Sequence, residues 1–460
     1  MGKSFETRRA DFSVARETAV LVSVALPDRP WRTADPCDEL RGLASTAGAS
    51  VVAEVTQRRH DVVPSTYIGK GKMDELKAAV DSVDADVVIF DNDLSPAQVR
   101  NLETFVDRKV IDRSELILDI FATRARTLES RLQVELAQLE YSLPRLKNMW
   151  THLSRQDGGG IGARGPGETQ LESDRRLAGM KIRDLKQRLT EVQARKEREV
   201  ASRRGEPTVS LVGYTNAGKS RLMNALTGAD VYVEDKLFST LDTRTRRWTV
   251  PGFGKILLSD TVGFIRDLPH HLVASFKATL EEARQAKLLL HVVDASSPVA
   301  EEHIQSVTGV LADLGCDRLP TLLVLNKIDR VTDRSYLDVL TKHHPKSVTI
   351  SGLTGEGLDA LRDAVVEALS DTLLNLELTL DAANGKAQAY LNAHAEIYRQ
   401  EYRGNEVFIR CHLPSHLLRH VEVPGVGVRM LENGVLEKGN HRGTENPEAH
   451  GEIDPEISTR

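Results

Sequence analysis

Short apolar runs near the start of the chain alternate with amphipathic stretches. The runs are "AVLVSVAL" from Ala19, "VVAEV" from Val51, "DVVIFD" from Asp86 and "KVID" from Lys109, and one intervening stretch is "KMDELKAAVDSV" from Lys72. Strands separated by helices of this length are typical of βαβ units, in which a helix connects two parallel strands. Residues 1–120 are therefore predicted to form an α/β domain around a small parallel sheet.

The pattern becomes helical between residues 121 and 205. Apolar residues three or four positions apart form one stripe before a glycine-rich stretch and another after it: Leu128, Leu132, Leu136, Leu139, Leu143, Leu146 and Trp150, then Ala178, Ile182, Leu185, Leu189 and Val192. Two such stripes joined by one loop can bury each other as an antiparallel hairpin. At 1.5 Å per residue, a helix of about 30 residues carries its loop roughly 45 Å outward. Pro144 is expected to kink the first helix.

The loop of this hairpin, residues 155–170, overlaps the stretch "DGGGIGARGPGETQLE", which is residues 157–172. Its Gly160-x-Gly162-x-x-Gly165 spacing matches a dinucleotide fingerprint, but that fingerprint needs a strand before it, and a helix precedes it here. We interpret the segment as the tip of a projecting arm. Arg164 supplies charge, and glycines let the main chain approach another surface closely: Gly158, Gly159, Gly160, Gly162, Gly165 and Gly167. The alternative is a flexible connector between two packed helices.

The rest of the chain divides into two further predicted units, because 460 residues exceed what one ordinary core can serve. Apolar strands and helical patterns recur over residues 206–370. Beyond them, "LELTL", the helical "GKAQAYLNAHA", "EIYRQEY" and "EVFIRCHLP" predict a small α+β domain over residues 371–435. The polar residues 436–460 are expected to form a disordered tail. The predicted fold class is α/β multidomain.

Charge and cysteine usage narrow the classes of function. The net charge is -6, yet residues 143–204 carry 15 Lys/Arg against 8 Asp/Glu, which favours an anionic partner for the hairpin, although a solvated helix face is the commoner cause of such runs. Cys37, Cys316 and Cys411 are scattered, which predicts buried, reduced thiols. Charged residues interrupt the first 19 positions, and no run of about 18 apolar residues exists, so a cytoplasmic protein without a membrane partner is expected.

The strongest chemical motif is "VSLVGYTNAGKS", which lies between an apolar strand and the helical "RLMNALTG". This is the context that a phosphate-binding loop requires. Its successive backbone N–H groups and the positive end of the helix dipole can hold phosphates. Lys219 is expected to reach the β- and γ-phosphates, and the Ser220 hydroxyl to ligate Mg²⁺. The full loop is Gly213, Tyr214, Thr215, Asn216, Ala217, Gly218, Lys219 and Ser220.

Three further motifs follow in the order expected of a guanine-nucleotide domain. "LLSDTVGF" places Asp260 where it can hold Mg²⁺ through water and Gly263 where it can sense the γ-phosphate, with Thr261 and Val262 between them. "TLLVLNKID" supplies Asn326, Lys327, Ile328 and Asp329. The Asp329 carboxylate can accept hydrogen bonds from guanine N1–H and the 2-amino group, a pair that adenine lacks. "SVTISGLTGEG" offers backbone N–H groups to the guanine oxygen from Ser351, Gly352 and Leu353.

The segment "DKLFSTLDTRTRR" lies between the phosphate loop and Asp260 and is a candidate switch. A switch needs a threonine whose hydroxyl binds Mg²⁺ and whose backbone N–H binds the γ-phosphate, so that hydrolysis releases the loop. Thr240, Thr243 and Thr245 are all candidates for this role. Spacing alone does not choose among them.

The phosphate loop, "FSTLD", "DTVGFIRDLP", "NKID" and the upstream "GGGIGARGPGETQLE" together resemble the HflX family of GTPases, in the Obg-like branch. The resemblance covers roughly residues 15–425, and Ser239 departs from the alanine common in relatives. It implies that Thr240 is the switch ligand to Mg²⁺ and that the GTP site includes Phe238, Ser239, Leu241 and Asp242. It also implies a protein, expected to be a monomer without DNA partners, whose N-terminal domain and hairpin bind the large ribosomal subunit, with the tip near the peptidyl-transferase centre. In its GTP-bound form such a protein separates stalled ribosomes into subunits.

Phe264 follows Gly263 where Ras-type enzymes place a glutamine that orients the attacking water. A phenyl ring can do no such work, so slow intrinsic hydrolysis and stimulation by a ribosomal partner are predicted. The alternative is a side chain from the "DKLFST" region that acts in cis. Two other classes stay open: an RNA-remodelling or ribosome-assembly GTPase, and a protein-directed signalling switch. "YIGKGK" from Tyr67 could contact phosphate, but a turn is the simpler interpretation.

Overall fold

The structure, a computed structural model, describes most of the chain. The described residues are 14–31, 33–156, 170–202, 207–229, 237–251, 253–266, 282–369, 373–414, 418–421 and 425–431. The glycines of the hairpin tip, Arg164 and the polar tail lie outside these ranges.

The first domain is the predicted parallel α/β unit. Its four strands pair in the order β2-β1-β3-β4, all parallel. A capping box at Ser95, whose side chain accepts from the Gln98 backbone N–H while Gln98 reaches back, starts one of its helices. The elements are β1 Thr18–Ala25, α1 Asp38–Ala47, β2 Ser50–Arg58, α2 Lys70–Val83, β3 Val87–Phe90, α3 Pro96–Val106, β4 Lys109–Asp112 and α4 Arg113–Arg124.

Two long helices form the predicted hairpin, α5 Leu128–Gln156 and α6 Gln170–Ser202. The apolar stripes face each other, because Leu132 and Leu136 of α5 share one buried cluster with Leu185 and Leu189 of α6. Ion pairs flank this seam, from Lys181 Nζ to Glu135 Oε1 at 2.5 Å and from Lys186 Nζ to Glu140 Oε1 at 2.8 Å. The stripe spacing therefore predicted both helices and their contact.

A buried carboxylate fixes the first hairpin helix to the N-terminal sheet. Asp112, at the end of β4, accepts a hydrogen bond from the Tyr141 hydroxyl at 2.7 Å and from Arg145 Nη2 at 2.9 Å. The Arg145 guanidinium lies 3.4 Å from the centre of the Tyr141 ring. Burial raises the pKa of Asp112, and Arg145 opposes that shift. A buried charge needs such partners, so α5 is held against β4 near its middle.

The third domain contains a six-stranded sheet in the order β10-β9-β8-β5-β7-β6, in which only the β6–β7 pairing is antiparallel. Parallel strands place their carboxyl ends at one edge of the sheet, where ligands bind in α/β folds. Its elements are β5 Thr208–Val212, α7 Lys219–Thr227, β6 Arg244–Val250, β7 Gly254–Asp260, β8 Leu288–Asp294, α8 Ala300–Asp313, β9 Thr321–Asn326, α9 Arg334–His343, β10 Val348–Thr349 and α10 Leu358–Leu369.

The last domain is the predicted α+β unit, with an antiparallel sheet in the order β12-β13-β11-β14. Leu376, Leu378 and Leu380 alternate along β11 and fill its core from one face. Its elements are β11 Leu373–Asp381, α11 Gly385–His394, β12 Glu396–Arg403, β13 Glu406–Pro414, α12 Leu418–Val421 and β14 Val426–Met430. The fold class predicted from the sequence is confirmed.

All three cysteines are buried free thiols, as predicted. Burial raises the pKa of Cys37 to about 12 and that of Cys411 to about 11. A thiol that does not ionise is a poor nucleophile and a poor metal ligand, so both act as small apolar core residues. Among the helices of the described ranges, none combines the length and the apolar character needed to cross a bilayer.

His291 lies inside β8 and is a buried basic side chain, with 3% of its surface exposed. Burial lowers the pKa of His291 from 6.5 to about 4. The unfolded chain therefore binds a proton that the folded chain does not, and stability falls as pH drops from 6.5 to 4. We expect His291→Leu to remove up to about 3 kcal/mol of this acid sensitivity.

The measurement is urea unfolding at pH 7 and at pH 4.5, in parallel for the wild type and His291→Leu. The wild type is expected to lose more stability between the two values than the variant does. Equal losses would show that His291 is protonated in the folded state.

Candidate functional site

The loop after β5 turns on two glycines that no other residue can replace. Gly213 has φ 150°, and a Cβ there would lie 2.1 Å from the Val292 carbonyl oxygen. Gly218 has φ 94°, and its Cβ would lie 2.4 Å from Asn326 Nδ2. Only glycine tolerates both the backbone conformation and the close approach. The loop is thereby pressed against β8 and the start of the Asn326 motif.

Lys219, the first residue of α7, closes the loop on itself. Its Nζ donates to the carbonyl oxygens of Gly213 and Tyr214, each at 3.0 Å. Burial lowers the pKa of Lys219 to about 8, although the nearby Asp260 carboxylate favours the charged form. The ammonium group thus lies at the centre of the loop, where it can meet the phosphates of a nucleotide.

Three oxygen-bearing side chains meet beside this loop. Ser220 Oγ lies 2.7 Å from Thr240 Oγ1 and donates to Asp260 Oδ2 at 2.6 Å, while Thr240 Oγ1 donates to the same oxygen at 3.1 Å. The other carboxylate oxygen, Asp260 Oδ1, is buried and has no hydrogen-bond partner among the residues that the structure describes. Such a set of oxygen ligands fits a hard cation such as Mg²⁺.

The three candidate threonines have different surroundings. Thr240 joins Ser220 and Asp260, whereas Thr243 donates to Glu282 Oε1 at 3.1 Å and Thr245 pairs with Ser259 at 3.0 Å. The geometry therefore brings Thr240 to Ser220 and Asp260, and Thr240 is the threonine that the family resemblance implies.

The segment after Asp260 runs along the phosphate loop. The Phe264 backbone N–H donates to Gly213 O at 3.1 Å, and its carbonyl oxygen accepts from the Thr215 backbone N–H at 2.6 Å. A Cβ on Gly263 would lie 2.7 Å from Thr215 Cα and 3.0 Å from Lys219 Nζ, so this position also requires glycine. Thr261 anchors the segment by donating to Leu211 O at 2.7 Å, and Val262 is buried.

The second half of the site is a cradle at the ends of β9 and β10. Asn326 bridges it, because Nδ2 donates to Ala217 O at 2.9 Å and Oδ1 accepts from the Gly352 backbone N–H at 3.0 Å. Ser351 Oγ donates to Asp329 Oδ1 at 2.6 Å, which orients that carboxylate. Lys327 Nζ pairs with Asp294 Oδ2 at 2.8 Å. Ile328 begins a short turn with Asp329, and Leu353 is exposed.

The remaining residues implied by the resemblance point toward the N-terminal half of the chain. The Phe238 backbone N–H donates to Thr215 Oγ1 at 2.8 Å, but its ring packs edge-on against Phe121 of α4, with centroids 4.7 Å apart. Leu241 is buried in the same core, and Asp242 accepts hydrogen bonds from the start of the hairpin. Ser239 is half-buried, and Asn216 is exposed with φ 60°.

Sequence patterns missed an ionic network that joins the first domain to the phosphate loop. The Tyr214 hydroxyl donates to Glu39 Oε1 at 2.9 Å and accepts from the Arg266 backbone N–H at 2.8 Å. Arg113 pairs with Glu39 at 2.5 Å and with Asp91 at 2.7 Å. Burial alone would raise the pKa of Glu39, but Arg113 and Arg266 lower it below its usual value. No local motif signals this contact, because Glu39 and Tyr214 are 175 residues apart.

His303 of α8 also touches the loop, with its ring stacked on Tyr214 at a centroid distance of 3.9 Å. Tyr214 is thereby held by its hydroxyl and by one face of its ring. A large crevice of about 680 Å³ lies between the two domains here, lined by residues that include Trp31, Glu39 and His303.

A loop that requires glycine at two positions connects β5 to α7, and three further motifs lie at the strand ends of the same sheet. This arrangement defines a P-loop GTPase domain. Three family models match successive parts of the chain: "GTP-binding GTPase N-terminal" over residues 34–122, "GTP-binding GTPase Middle Region" over 124–203 and "50S ribosome-binding GTPase" over 208–327. The chain belongs to the HflX family of GTPases, and it binds guanine nucleotides and hydrolyses GTP.

Two relatives illustrate the match. GTPase HflX of Escherichia coli strain K12 is 48% identical over 378 residues, which is 82% of this chain and 88% of the relative. GTPase HflX of Lacrimispora saccharolytica is 43% identical over 414 residues, 89% and 97% of the two chains. A crystal structure of a GTP-binding protein from Sulfolobus solfataricus in complex with GDP is 25% identical and covers 76% of this chain and 98% of its own, with a TM-score of 0.42.

The glycine requirement at the loop yields a test. In Gly213→Ala the new Cβ would collide with the Val292 carbonyl oxygen, so we expect the loss of at least about 2 kcal/mol of stability and of nucleotide binding. Gly309→Ala is the matched control, because Gly309 lies inside α8 with nothing within 4 Å of an added Cβ. That change should be neutral or stabilise by up to about 1 kcal/mol. Thermal unfolding and nucleotide titration of both variants give the answer. Equal behaviour would contradict the steric argument.

Proposed function

We propose that this GTPase is a guanine-nucleotide switch that binds the large ribosomal subunit and separates stalled ribosomes into subunits. The observation that carries the proposal is the charge of α6. From residue 175 to residue 195 this helix exposes seven Lys/Arg and two Asp/Glu. Lys181 and Lys186 pair with α5, but residues such as Arg175 and Arg183 lie on the exposed surface. A long basic arm suits the phosphate backbone of ribosomal RNA.

The comparisons support the same partner. The model that matches residues 208–327 describes a 50S ribosome-binding GTPase, and the family assignment covers most of the chain. The charge of the arm and the family match of the P-loop GTPase domain are independent of each other, since they concern different segments.

The arrangement around Lys219 suits phosphoryl transfer to water. Lys219 and the N–H groups of the loop are placed to stabilise negative charge on the phosphates. Ser220, Thr240 and Asp260 are the residues that would hold Mg²⁺, directly or through water, and the ion, when bound, neutralises charge on the phosphate oxygens. Gly263 leaves room beside Lys219 for the γ-phosphate. Thr240 would then report the presence of that phosphate to the switch segment.

Phe264 supplies no group that could orient the attacking water, and its ring is buried. We therefore propose slow hydrolysis by the free protein and stimulation by the large subunit. The test is the turnover of GTP by the purified protein, measured without and with large subunits. Fast turnover that the subunits do not change would instead indicate that a side chain acts in cis.

The proposed role of Asp329 is the choice of base. Asp329→Asn keeps one acceptor oxygen for guanine N1–H but replaces the other with an N–H donor, which meets the 2-amino group, also a donor. Each hydrogen bond to a charged group contributes about 1.5 to 3 kcal/mol. We expect the affinity for GTP to fall by about 100-fold or more and the affinity for xanthosine triphosphate to rise, because xanthine presents a carbonyl oxygen at position 2. Asp333→Asn is the control, since Asp333 is an exposed helix cap in the same domain. Unchanged selectivity in Asp329→Asn would remove Asp329 from the base site.

Sedimentation with large subunits tests the partner. The wild type is expected to co-sediment with a non-hydrolysable GTP analogue and less with GDP, and binding should weaken as salt rises. Arg175→Ala with Arg183→Ala should lower the slope of log affinity against log salt by about two. Arg399→Ala with Arg403→Ala, on exposed β12, removes equal charge from another domain and should leave the slope unchanged.

A separate variant, Arg164→Ala, tests the hairpin tip. Loss of co-sedimentation would support the tip as a contact. If the wild type does not bind large subunits in either nucleotide state, the proposed function is wrong.

A further inference from the structure

Two residues beyond Thr240, the carboxylate of Asp242 reaches the base of the hairpin. Asp242 Oδ2 accepts hydrogen bonds from the backbone N–H groups of Arg126, at 3.2 Å, and Thr127, at 3.3 Å. Its other oxygen, Oδ1, accepts from the Thr127 hydroxyl at 2.7 Å. These donors directly precede Leu128, the first residue of α5.

Thr127 is itself the cap of that helix. Its Oγ1 accepts from the Ser130 backbone N–H at 3.2 Å, and the Ser130 hydroxyl donates back to the Thr127 carbonyl oxygen at 3.1 Å. The first backbone N–H groups of a helix have no partner within the helix, and a negative charge at this end is favourable. Asp242 therefore completes the cap of the hairpin helix from a different domain.

Packing ties the same segment to the same corner independently of the carboxylate. Phe238 lies against Phe121 near the end of α4, and Leu241 is buried in one cluster with Val134 and Ala137 of α5. The residues on either side of Thr240 are thus fixed to the junction of α4 and α5. Thr240 itself lies at the oxygen cluster of Ser220 and Asp260.

We propose that Asp242 is a positioning residue that couples the nucleotide to the hairpin. Adjacent Cα atoms are about 3.8 Å apart, so a segment held at Thr240 cannot move Asp242 far from α5. When Thr240 is bound at the nucleotide, Asp242 caps the hairpin helix, and when Thr240 is released, the cap is withdrawn. This inference rests on the proposed role of Thr240 as the switch ligand.

Linkage makes the coupling reciprocal: if GTP strengthens the cap, the cap strengthens the binding of GTP. Caps change helix stability by an amount that corresponds to about a 2- to 30-fold change in an equilibrium constant. The preference for a GTP analogue over GDP should therefore fall by a factor in this range when the carboxylate is removed.

Hydrogen exchange of the full-length protein tests the proposal. In the wild type, the backbone amides of residues 126–131 should exchange more slowly with the GTP analogue than with GDP. In Asp242→Ala this difference should disappear, whereas Asp242→Asn should retain part of it, because the amide oxygen still accepts hydrogen bonds. The matched control is Asp333→Ala, which removes a helix cap from α9 of the same domain, away from the switch. It should leave the difference intact.

Nucleotide titration of the same variants gives a second readout, and unchanged exchange around Tyr141 shows that Asp242→Ala is folded. A wild type without the nucleotide-dependent difference, or an Asp242→Ala variant that keeps it in full, would overturn the inference. Neither readout uses ribosomes. Failure of the wild type to bind large subunits would therefore sink the proposed partner while the exchange data still decide the role of Asp242.

Discussion

The arrangement of the domains depends on the ion pairs of the buried Arg113 guanidinium. Its side chain is 3% exposed and pairs with Glu39 and Asp91. Removing either carboxylate would leave the buried guanidinium without sufficient charge compensation, which costs far more than the loss of a surface pair. Glu39 also accepts a hydrogen bond from the Tyr214 hydroxyl, so the ion pairs of the first domain and the position of the phosphate loop depend on each other. The N-terminal domain therefore helps to position the phosphate loop.

The hairpin is attached at two places, and each contacts a different domain. Tyr141 and Arg145 bind Asp112 and fix the middle of α5 to the N-terminal sheet. Asp242 of the switch segment binds Arg126 and Thr127, just before the first turn of α5. A rigid attachment alone would make the hairpin a passive spacer, and a switch contact alone would leave it without support. Under the proposed role of Asp242, a small change at the switch segment would be felt at the start of a helix that is also fixed to the N-terminal sheet. A physical coupling of this kind needs contacts that differ between two states.

Local patterns predicted what local physics controls. The alternation of strands and helices predicted the parallel sheets, and the apolar stripes predicted that Leu185 lies in the hairpin seam. The phosphate-loop motif predicted a glycine at 213, and the structure shows the steric reason for it. Spacing could not choose Thr240, because its neighbours in space are 20 residues away on both sides. The family resemblance implies that Asp242 belongs to the GTP site, yet the hydrogen-bond partners of its carboxylate lie more than 100 residues earlier in the chain. Contacts of that range have no signature in a single sequence.

Phe264 joins the segment after Asp260 to the phosphate loop. The Phe264 backbone N–H and carbonyl oxygen both form hydrogen bonds with the phosphate loop. Its ring lies in the core that also holds Tyr214 and Ile265. A side chain used in this way strengthens the contact between the switch and the loop but cannot also handle water. Arg266, two residues on, is engaged by Glu39 at 3.3 Å and so is held toward the N-terminal domain. The slow hydrolysis proposed for the free protein follows from this use of the side chain, and a partner that completes the site from outside would then accelerate the reaction without disturbing this contact.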